Sequence, residues 1–376
     1  MSVPAPDTIP EPSGGRPVLT VSLAAIAGNW RTLRDAAPHA EIAAVVKADG
    51  YGLGAAPIAA KLKALGCITF FVATLDEGRA LRPVVGTGPR IFVLNGLPPG
   101  AASAFAAHAL SPVLNSLEEI REWADAGKRP AAIHVDTGMT RAGLCPDELT
   151  LLAGDAQLLT RLDTSFVMSH LACGDEADHV SNRTQLSRFK SALAMLPLAQ
   201  ASLSASSGIF LGPEYHFDLV RPGIALYGGN PLTGTPNPMR GAAVLTAEVL
   251  GIRTLARGET AGYGATYAAT HESRLAVCNI GYADGILRSL SNRGAAYFGD
   301  IACPYAGRVS MDLLTIDVSA VPASEIARGS LVEIIGPHMS VEEMAARAGT
   351  ANYEILTGLG SRFTRVALDS HWTRIV

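Results

Sequence analysis

The amino-acid sequence predicts a (β/α)8 TIM-type barrel followed by a C-terminal all-β domain, an α/β plus β fold class. From Glu41 onward, short β-branched apolar runs alternate with Ala-, Leu- and Glu-rich stretches of helical period. The apolar runs number eight, the count that closes a parallel barrel. Beyond a cluster of Pro, Gly, Thr and Asn at residues 230–239, the helical periods nearly vanish.

Each predicted barrel strand is a short apolar run bounded by turn residues. The expected strands are residues 42–48, 69–74, 90–94, 111–114, 131–136, 164–169, 203–206 and 219–226. They span about 200 residues, which is the lower end of the usual size of such a barrel. An open doubly wound sheet is the alternative architecture for the same alternation.

The second domain is predicted from short alternating strands that are broken by turns. Its expected strands are residues 244–252, 276–280, 313–318 and 331–335, and its only helical period is at residues 341–348. We therefore place the barrel at residues 18–238 and the β domain at residues 239–376. The alternative is that the first residues of the barrel range pair with the β domain. Residues 1–17 hold five prolines and are predicted to form a disordered tail.

The composition narrows the class of function. The chain has 376 residues, of which 48% are hydrophobic and 17% charged, and its formal net charge is −4. This balance predicts a globular protein that acts on a small molecule, with no basic footprint for nucleic acid. No apolar run reaches the roughly 18 residues that a membrane helix needs. Five scattered cysteines and the absence of a signal-peptide pattern predict reduced thiols and a cytoplasmic location.

Lys47 is the first candidate for chemistry. In a parallel barrel, functional side chains lie at the carboxyl ends of the strands, and Lys47 follows the first strand, beside the glycine-rich turn 49–54. An ammonium group is costly to bury without a partner. A desolvated lysine has a lowered pKa, and its neutral amine can attack a carbonyl to form a Schiff base. A solvated surface lysine is the alternative.

Other predicted strand ends also carry polar groups. Residues 134–141 follow the fifth strand, His170 follows the sixth, residues 206–208 follow the seventh, and residues 220–224 lie at the eighth. The Ser-Ser-Gly and Pro-Gly-Ile segments can present hydroxyl and N–H groups to an anion, at the usual phosphate position of such barrels. Each motif alone is equally typical of a turn, a core histidine or a surface ion pair. Together they predict one site at the barrel mouth.

Six motifs follow one another along the chain. They are Lys-Ala-Asp-Gly-Tyr-Gly (47–52), Val-Asp-Thr-Gly-Met-x-Arg (135–141), Arg-Pro-Gly-Ile-x-Leu-Tyr-Gly (221–228), Gly-Tyr-Gly-Ala-Thr-Tyr (262–267), Gly-Tyr-Ala-Asp-Gly (281–285) and Gly-Arg-Val-Ser-Met-Asp (307–312). Several motifs in register are far more specific than one glycine-rich loop. In this order they resemble the alanine racemase family, whose members use pyridoxal 5′-phosphate (PLP) on a fold-type III barrel.

The resemblance implies an isomerase that interconverts L- and D-alanine, either to supply D-alanine for cell-wall peptidoglycan or to degrade it. The residues that it implies for cofactor binding are Lys47, Tyr51, His170, Ser207, Arg221, Gly223 and Ile224. Lys47 would hold the cofactor covalently, and Arg221 would face the pyridine nitrogen. Tyr51, Ser207 and the backbone of Gly223 and Ile224 would bind the phosphate. No metal is implied.

Racemisation removes the α-proton from one face of an amino acid and returns a proton to the other, so two acid/base groups must flank the cofactor. The resemblance assigns these roles to Lys47 and Tyr263. It places Tyr263 on the second subunit of a head-to-tail homodimer, and it links the tyrosine hydroxyl to a hydrogen-bonded chain through His170 and Arg221. For substrate it implies Arg141, the N–H of Met311 and, at the entrance, Tyr282, for which loop packing is the alternative role.

Three departures from the family pattern concern the site, and in one of them Ser206-Ser207 stands where the family has Asn-Ser before the seventh helix. His134 stands where many members have a carbamylated lysine, so we expect an anion or a neutral His134 to orient Arg141. Ser361 stands where a second phosphate-binding tyrosine is common, which predicts weaker cofactor affinity or a repacking around Phe363.

The sequence leaves three alternative functions open. A racemase of the same fold with serine or lysine as substrate is the nearest, because loops and the second subunit set the pocket size. A non-catalytic PLP-binding barrel is another, although a carrier needs no second base such as Tyr263. A decarboxylase of related architecture should have a carboxylate where Arg221 stands.

Overall fold

The structure is a computed structural model that describes residues 15–197 and 199–370. Residues 1–14 of the predicted tail lie outside the described residues. The chain divides into two compact units. The barrel unit comprises Ala27–Leu226 and Asn230–Met239. The β unit comprises the described residues up to Ile26, then Tyr227–Gly229, and then the described residues from Arg240 onward.

Short strands outnumber helices in the described chain. The strands are β1 (Val18–Ser22), β2 (Glu41–Ile42), β3 (Ala44–Val45), β4 (Thr69–Val72), β5 (Arg90–Val93), β6 (Ser111–Leu114), β7 (Pro130–His134), β8 (Asp163–Met168), β9 (Gln200–Ser202), β10 (Leu219–Val220), β11 (Ala243–Leu255), β12 (Thr260–Ala261), β13 (Tyr267–Ala268), β14 (Ser273–Cys278), β15 (Ala295–Phe298), β16 (Ile301–Pro304), β17 (Leu314–Asp317), β18 (Leu331–Ile335) and β19 (Thr364–Leu368). The α-helices are Leu23–Ala36, Ala55–Ala64, Leu75–Val85, Ala102–Ala107, Leu117–Asp125, Pro146–Gly154, Ala156–Thr160, Val180–Met195, Val341–Ala348 and Asn352–Thr357, besides the turn Lys47–Tyr51. None of the described helices has the length and apolar character of a membrane span.

The predicted barrel is confirmed by the strand pairing of the barrel unit. Strands β3 to β9 form one parallel sheet in sequence order, and β10 pairs in parallel with β2. Ala43 alone separates β2 from β3, and its N–H donates to Val220 O at 3.0 Å. On the other side of β10, the Arg221 N–H donates to Ser204 O at 2.9 Å. The parallel strands therefore close on themselves, whereas a doubly wound sheet would leave two open edges.

Of the predicted barrel strands, three overrun the observed carboxyl ends by three or more residues, all at the barrel mouth. The first strand stops at β3, so that Lys47 lies in the following turn, and the seventh is β9 rather than residues 203–206. The eighth is β10, after which Pro222 and the 3-10 helix Ile224–Tyr227 replace the expected strand. Pro222 has no N–H group to donate to a neighbouring strand, which ends the ladder of hydrogen bonds after β10. The polar residues at the three strand ends form hydrogen bonds with one another instead.

Aromatic side chains fill the barrel interior. The rings of Phe92 on β5 and Phe166 on β8 lie 4.7 Å apart, and Phe71 on β4 contacts both, at 5.5 and 5.9 Å. Because β5 and β8 are not neighbours, these rings meet across the interior. A packed interior leaves the mouth as the place for a ligand.

The β unit is built around β1. This strand is buried at every residue and lies between β11, to which it is antiparallel, and β19, to which it is parallel. The sheet order is β16-β15-β18-β11-β1-β19, and β14 joins β11 to β17. The prediction of a single helix in this region is wrong, because Asn352–Thr357 follows Val341–Ala348. Six residues are too few for a helical period to stand out.

A buried carboxylate fastens the end of β18. The Oε1 of Glu333, which is buried, accepts hydrogen bonds from the N–H groups of His338 at 2.8 Å and Met339 at 3.0 Å. His338 Nδ1 lies 2.9 Å from Glu333 Oε2, and its Nε2 lies 3.0 Å from Asp300 Oδ1. The hydrogen bond to Glu333 is the largest of the effects that raise the pKa of His338. A protonated His338 thus compensates the buried charge of Glu333.

This contact predicts a pH-dependent stability. The pKa of His338 is raised on folding above its unfolded value of about 6.5, so its stabilisation is complete below that pH and is lost as the pH rises through the folded-state pKa. We expect His338→Gln to destabilise the protein by about 2 kcal/mol at low pH and by less in alkaline buffer. Thermal melting of wild type and variant in acidic and in alkaline buffer measures this loss of stability. The variant His39→Gln, at an exposed histidine, is the control. An equal loss at both pH values would contradict the prediction.

Candidate active site

Lys47 begins a left-handed turn at the barrel mouth. The backbone φ angles that follow it are 53° at Ala48, 50° at Asp49 and 62° at Gly50, and 57° at Tyr51. A left-handed residue other than glycine costs about 1–2 kcal/mol. The conformation is therefore held by its surroundings, as is common at functional sites.

Two carboxylates hold this turn. Glu77 Oε1 accepts a hydrogen bond from the Ala48 N–H at 2.8 Å, while its Oε2 accepts one from the Ala73 N–H at 2.7 Å. Asp49 Oδ1 accepts one from the Ala55 N–H at 2.8 Å, at the start of the next helix. The turn is thereby fixed to the end of β4 and to the helix that it precedes.

The Lys47 amine is set up to lose its proton. Burial lowers its pKa, nearby Arg141 lowers it further, and Glu77 opposes them. Its amine forms no hydrogen bond or ion pair within the described chain. A half-buried, unpaired amine of lowered pKa is the nucleophile that Schiff-base chemistry needs.

Arg221 is a buried cation whose hydrogen bonds all go to neutral groups. Its guanidinium donates to Ser202 Oγ, to Ser169 O at 2.7 Å and to Leu203 O at 3.4 Å. Burial alone lowers its pKa, to about 9, and no carboxylate among the described residues pairs with it. The guanidinium stays protonated near neutral pH. An unpaired buried charge is costly, so this position fits an anionic or electron-rich ligand.

The protonation of His134 is fixed by a residue that the sequence reasoning missed, Asn115. The Nδ2 of Asn115 donates to two carbonyl oxygens, Val113 O at 2.8 Å and Leu94 O at 3.3 Å. Its Oδ1 must therefore accept, and it lies 2.8 Å from His134 Nδ1, which must carry the proton. Burial, followed by Arg221, lowers the pKa of His134 to about 4. His134 is thus a neutral imidazole whose Nε2 is an acceptor.

His170 is also a neutral imidazole. Burial is the largest cause that lowers its pKa, to about 3, and Arg221, Arg141, His134 and Lys47 lower it further. The described hydrogen bonds of Arg221 go elsewhere, so the predicted link between His170 and Arg221 is not present in this structure. The mutual electrostatic effects nevertheless show that the fold brings these five basic residues together.

The loop that carries Arg141 is organised by Asp136. Its Oδ1 accepts hydrogen bonds from the N–H groups of Gly138 and Met139 at 2.9 Å and of Thr140 at 3.1 Å. Burial acts to raise the pKa of Asp136, but these hydrogen bonds outweigh it and lower the pKa. The exposed Arg141 has no hydrogen-bond partner in the described part of the chain. Its guanidinium is available to a carboxylate.

The predicted phosphate-binding residues meet between β9 and β10. A side chain at Gly223 would overlap the hydroxyl of the buried Tyr51, so only glycine fits there. The Gly223 N–H donates to Ser206 Oγ at 2.9 Å, a bond that the sequence did not predict. Ser207 is half-buried, and its hydroxyl has no partner among the described residues. Ile224 begins the adjoining 3-10 helix.

The β unit carries the other predicted site residues on exposed turns. Tyr263 lies in the turn between β12 and β13 and is 71% exposed, and Tyr282 and Met311 are 42% and 54% exposed. Large side chains of this kind occur singly on ordinary protein surfaces, so their exposure alone assigns them no role. The Met311 N–H has no partner among the described residues. Ser361 is exposed, and Phe363 is buried beneath the Arg365 guanidinium, 5.8 Å from its ring centre.

Arg362, which sequence reasoning missed, joins two of these turns. Its Nε and Nη2 bind both oxygens of the buried Asp284 at 2.7 and 2.8 Å, and its Nη1 binds Asp312 at 2.7 Å. Asp284 belongs to the Tyr282 turn, and Asp312 follows Met311. The bidentate geometry holds both turns in a fixed arrangement. Asn115, unlike Arg362, could have been found from sequence, because it directly follows a predicted strand.

Two models of known families match most of the chain. The model described as "Alanine racemase, N-terminal domain" matches residues 21–231, and the one described as "Alanine racemase, C-terminal domain" matches residues 242–367. These matches confirm the resemblance that the six motifs indicated.

Proteins of similar sequence support the same family. A catabolic alanine racemase of Agrobacterium fabrum is 50% identical over 352 residues, which cover 92% of this chain and 91% of that protein. An alanine racemase of Rhodospirillum rubrum is 48% identical, over 93% of this chain and 95% of that protein.

Solved structures share the fold. The crystal structure of alanine racemase from Bartonella henselae, with covalently bound pyridoxal phosphate, superposes with a TM-score of 0.91 at 40% identity, covering 95% of this chain and all of that one. Biosynthetic alanine racemase from Pseudomonas aeruginosa gives 0.88 at 32% identity, over 95% and 99% of the two chains. On the strength of both family models and these relatives, the chain belongs to the alanine racemase family.

Proposed function

We propose that this protein is a PLP-dependent racemase that interconverts L- and D-alanine. The observation that carries the proposal is the Lys47 amine of lowered pKa, unpaired among the described residues, at a barrel mouth that also holds the guanidinium groups of Arg141 and Arg221. Such a mouth suits an aldehyde cofactor that carries negative charge. The relatives of Agrobacterium fabrum and Rhodospirillum rubrum are alanine racemases, which favours alanine as the substrate.

The residues of the barrel unit fit PLP. The buried Arg221 guanidinium lacks a carboxylate partner and can donate to the pyridine nitrogen. Lys47 would bond covalently to the aldehyde carbon, with loss of water, and its amine would be released when a substrate amine takes its place there. The Tyr51 and Ser207 hydroxyls, together with the N–H groups of the segment that begins at Gly223, can bind the phosphate, although the Gly223 N–H must then leave Ser206 Oγ.

When bound, PLP withdraws electrons from the α-carbon of an attached amino acid and so acidifies its α-hydrogen. In our proposal the Lys47 Nζ moves the proton on one face of the substrate and the Tyr263 Oη moves it on the other. The Arg141 guanidinium and the Met311 N–H bind the substrate carboxylate, and Tyr282 lines the entrance. Arg221 keeps its proton near neutral pH, because guanidinium is a very weak acid.

We further propose that the protein is a head-to-tail homodimer in the cytoplasm. The exposure of Tyr263, Tyr282 and Met311 leaves them accessible to a second subunit, whose site Tyr263 would complete as the resemblance implies. The five cysteines are all free thiols, as expected in a reducing compartment.

His134 has a distinct place in this proposal. Its neutral Nε2 provides an acceptor at the mouth, among the guanidinium groups of Arg141 and Arg221 that help to lower its pKa. We propose that this acceptor orients Arg141, with Asn115 fixing the tautomer. The alternative that an added anion orients Arg141 predicts an activity that depends on the anion supplied.

The substrate is tested by incubating the purified protein with L-alanine, L-serine and L-lysine in deuterium oxide. Optical rotation and α-deuteration are followed together. We expect loss of rotation with α-deuteration for alanine at the highest rate, because the proposed chemistry exchanges the α-proton. If the protein racemises serine or lysine but not alanine, alanine is not its substrate. A protein that binds PLP but exchanges no α-proton would be a non-catalytic PLP-binding barrel.

The two bases are tested with Lys47→Ala and Tyr263→Phe. We expect each to lower kcat by about 10²- to 10⁴-fold, the usual contribution of a general acid or base, with Tyr353→Phe as an exposed control. Mixing and reassociating the two inactive variants should restore activity, because one site of each hybrid dimer then holds an intact Lys47 and an intact Tyr263. Failure to recover activity, with hybrids present, would rule out sites shared between subunits.

The role of Asn115 is tested with Asn115→Asp. A carboxylate on the protonated Nδ1 should raise the pKa of His134 from about 4 toward neutrality. We expect KM for alanine to rise as the pH falls through the new pKa, since an imidazolium no longer accepts a hydrogen bond from Arg141. The wild-type KM should show no such step above about pH 5. Matching pH profiles of KM in both proteins would refute this role.

A further inference from the structure

One exposed side chain, that of Asn292, ties together two turns of the β unit. Its Nδ2 donates to Thr266 Oγ1 at 3.2 Å and to Thr266 O at 3.4 Å, in the turn that carries Tyr263. Its Oδ1 accepts from the Gly307 N–H at 2.6 Å, in the loop that leads to Met311. The backbone N–H of Asn292 also donates to Gly307 O, at 3.3 Å.

The chemistry of these partners requires an amide at this position. The Thr266 carbonyl is only an acceptor and the Gly307 N–H is only a donor, so the bridging side chain must donate on one side and accept on the other. Asparagine also tolerates the left-handed backbone that residue 292 adopts, with φ of 55°. An aspartate lacks the donor, and a leucine lacks both groups.

The two turns that Asn292 joins lie against each other. A side chain at Gly262 would come within 3.3 Å of the Arg308 backbone N, and one at Gly307 would come within 3.0 Å of Ala261 O. Backbone to backbone contact at this distance leaves no room for side chains. The relative position of the two turns therefore depends on direct hydrogen bonds, and the Asn292 side chain makes three of them.

The hairpin that carries Tyr263 is fixed a second time, one residue beyond Thr266. On β13, Tyr267 Oη donates to Asp317 Oδ2 at 2.9 Å, on β17. The hairpin is short, since β12 and β13 pair over two residues each. Tyr263 itself is 71% exposed and has little packing to hold it. Asn292 and Tyr267 therefore hold adjacent residues of the turn, and Asn292 is the contact that links it to the loop leading to Met311.

We infer that Asn292 is a positioning residue for the Tyr263 hydroxyl. The inference rests on the proposed function, in which this hydroxyl moves the α-proton on one face of the substrate. Asn292 touches neither substrate nor cofactor in this role. It acts through the turn, by holding Thr266 at a fixed distance from the loop that ends at Met311. Because acid/base groups must be placed to within about 1 Å, loss of the bridge should slow proton transfer at Tyr263 and leave substrate binding largely intact.

The test uses the full-length PLP-loaded protein and its variant Asn292→Asp. The aspartate can still accept the hydrogen bond from the Gly307 N–H, but it has no N–H group to donate to Thr266. We expect kcat to fall about 10-fold, with KM changed by less than about 2-fold. The decisive measurement is the isotope effect with α-deuterated L-alanine and, separately, D-alanine. It should rise for one enantiomer only, because only the transfer to or from Tyr263 is slowed. Asn352→Ala, at a hydrogen-bonded asparagine of the second β-unit helix, is the control.

Each outcome has one meaning. If wild-type protein shows no α-proton exchange with alanine, the proposed function fails. If wild type is active and Tyr263→Phe is impaired, but Asn292→Asp matches wild type, the inference alone fails. The inference also fails if the isotope effect of Asn292→Asp changes equally for L- and D-alanine and the melting temperature falls. That result indicates a purely structural role for Asn292. If the aspartate variant does not fold, Asn292→Gly, which suits a φ of 55°, is measured in its place.

Discussion

The buried guanidinium of Arg221 dominates the electrostatics of the barrel mouth. It lies under the carboxyl ends of the strands, has no carboxylate partner among the described residues, and donates its hydrogen bonds to neutral oxygens. After burial, it is the largest influence that lowers the pKa of both His134 and His170. Both imidazoles are therefore neutral, and the guanidinium groups of Arg221 and Arg141 are the cations there that an anionic ligand can compensate. Packing of the strand ends imposes this arrangement.

The left-handed turn after Lys47 is the second constraint on the site. Four consecutive left-handed φ angles, at residues 48–51, direct the chain from β3 into the next helix, and only one of these residues, Gly50, is a glycine. Glu77 and Asp49 hold this turn through backbone N–H groups. The strain and its restraint lie next to the residue proposed to bond the cofactor, so a rigid backbone positions a side chain that is itself flexible.

The β unit uses polar side chains for the same purpose. Its exposed turns have little apolar packing, and Arg362 and Asn292 join them through hydrogen bonds whose donors and acceptors are fixed by chemistry. Arg362 holds the Tyr282 turn against Asp312, and Asn292 holds the Tyr263 turn against Gly307. Both side chains act on elements far from them in sequence. Precise placement of an exposed group thus comes from hydrogen bonds and not from a core.

The sequence by itself determined the fold class, the family, and the position of Lys47 and Arg221 near strand ends, because strand alternation and motif order are local signals. It did not determine that Lys47 lies in a left-handed turn, since Ala48 and Asp49 are not glycines. Nor could it show that Asn115 fixes the tautomer of His134, or that Asn292 bridges two turns. Those roles depend on hydrogen bonds between residues 15 to 26 positions apart, and only the folded chain brings such groups within bonding distance.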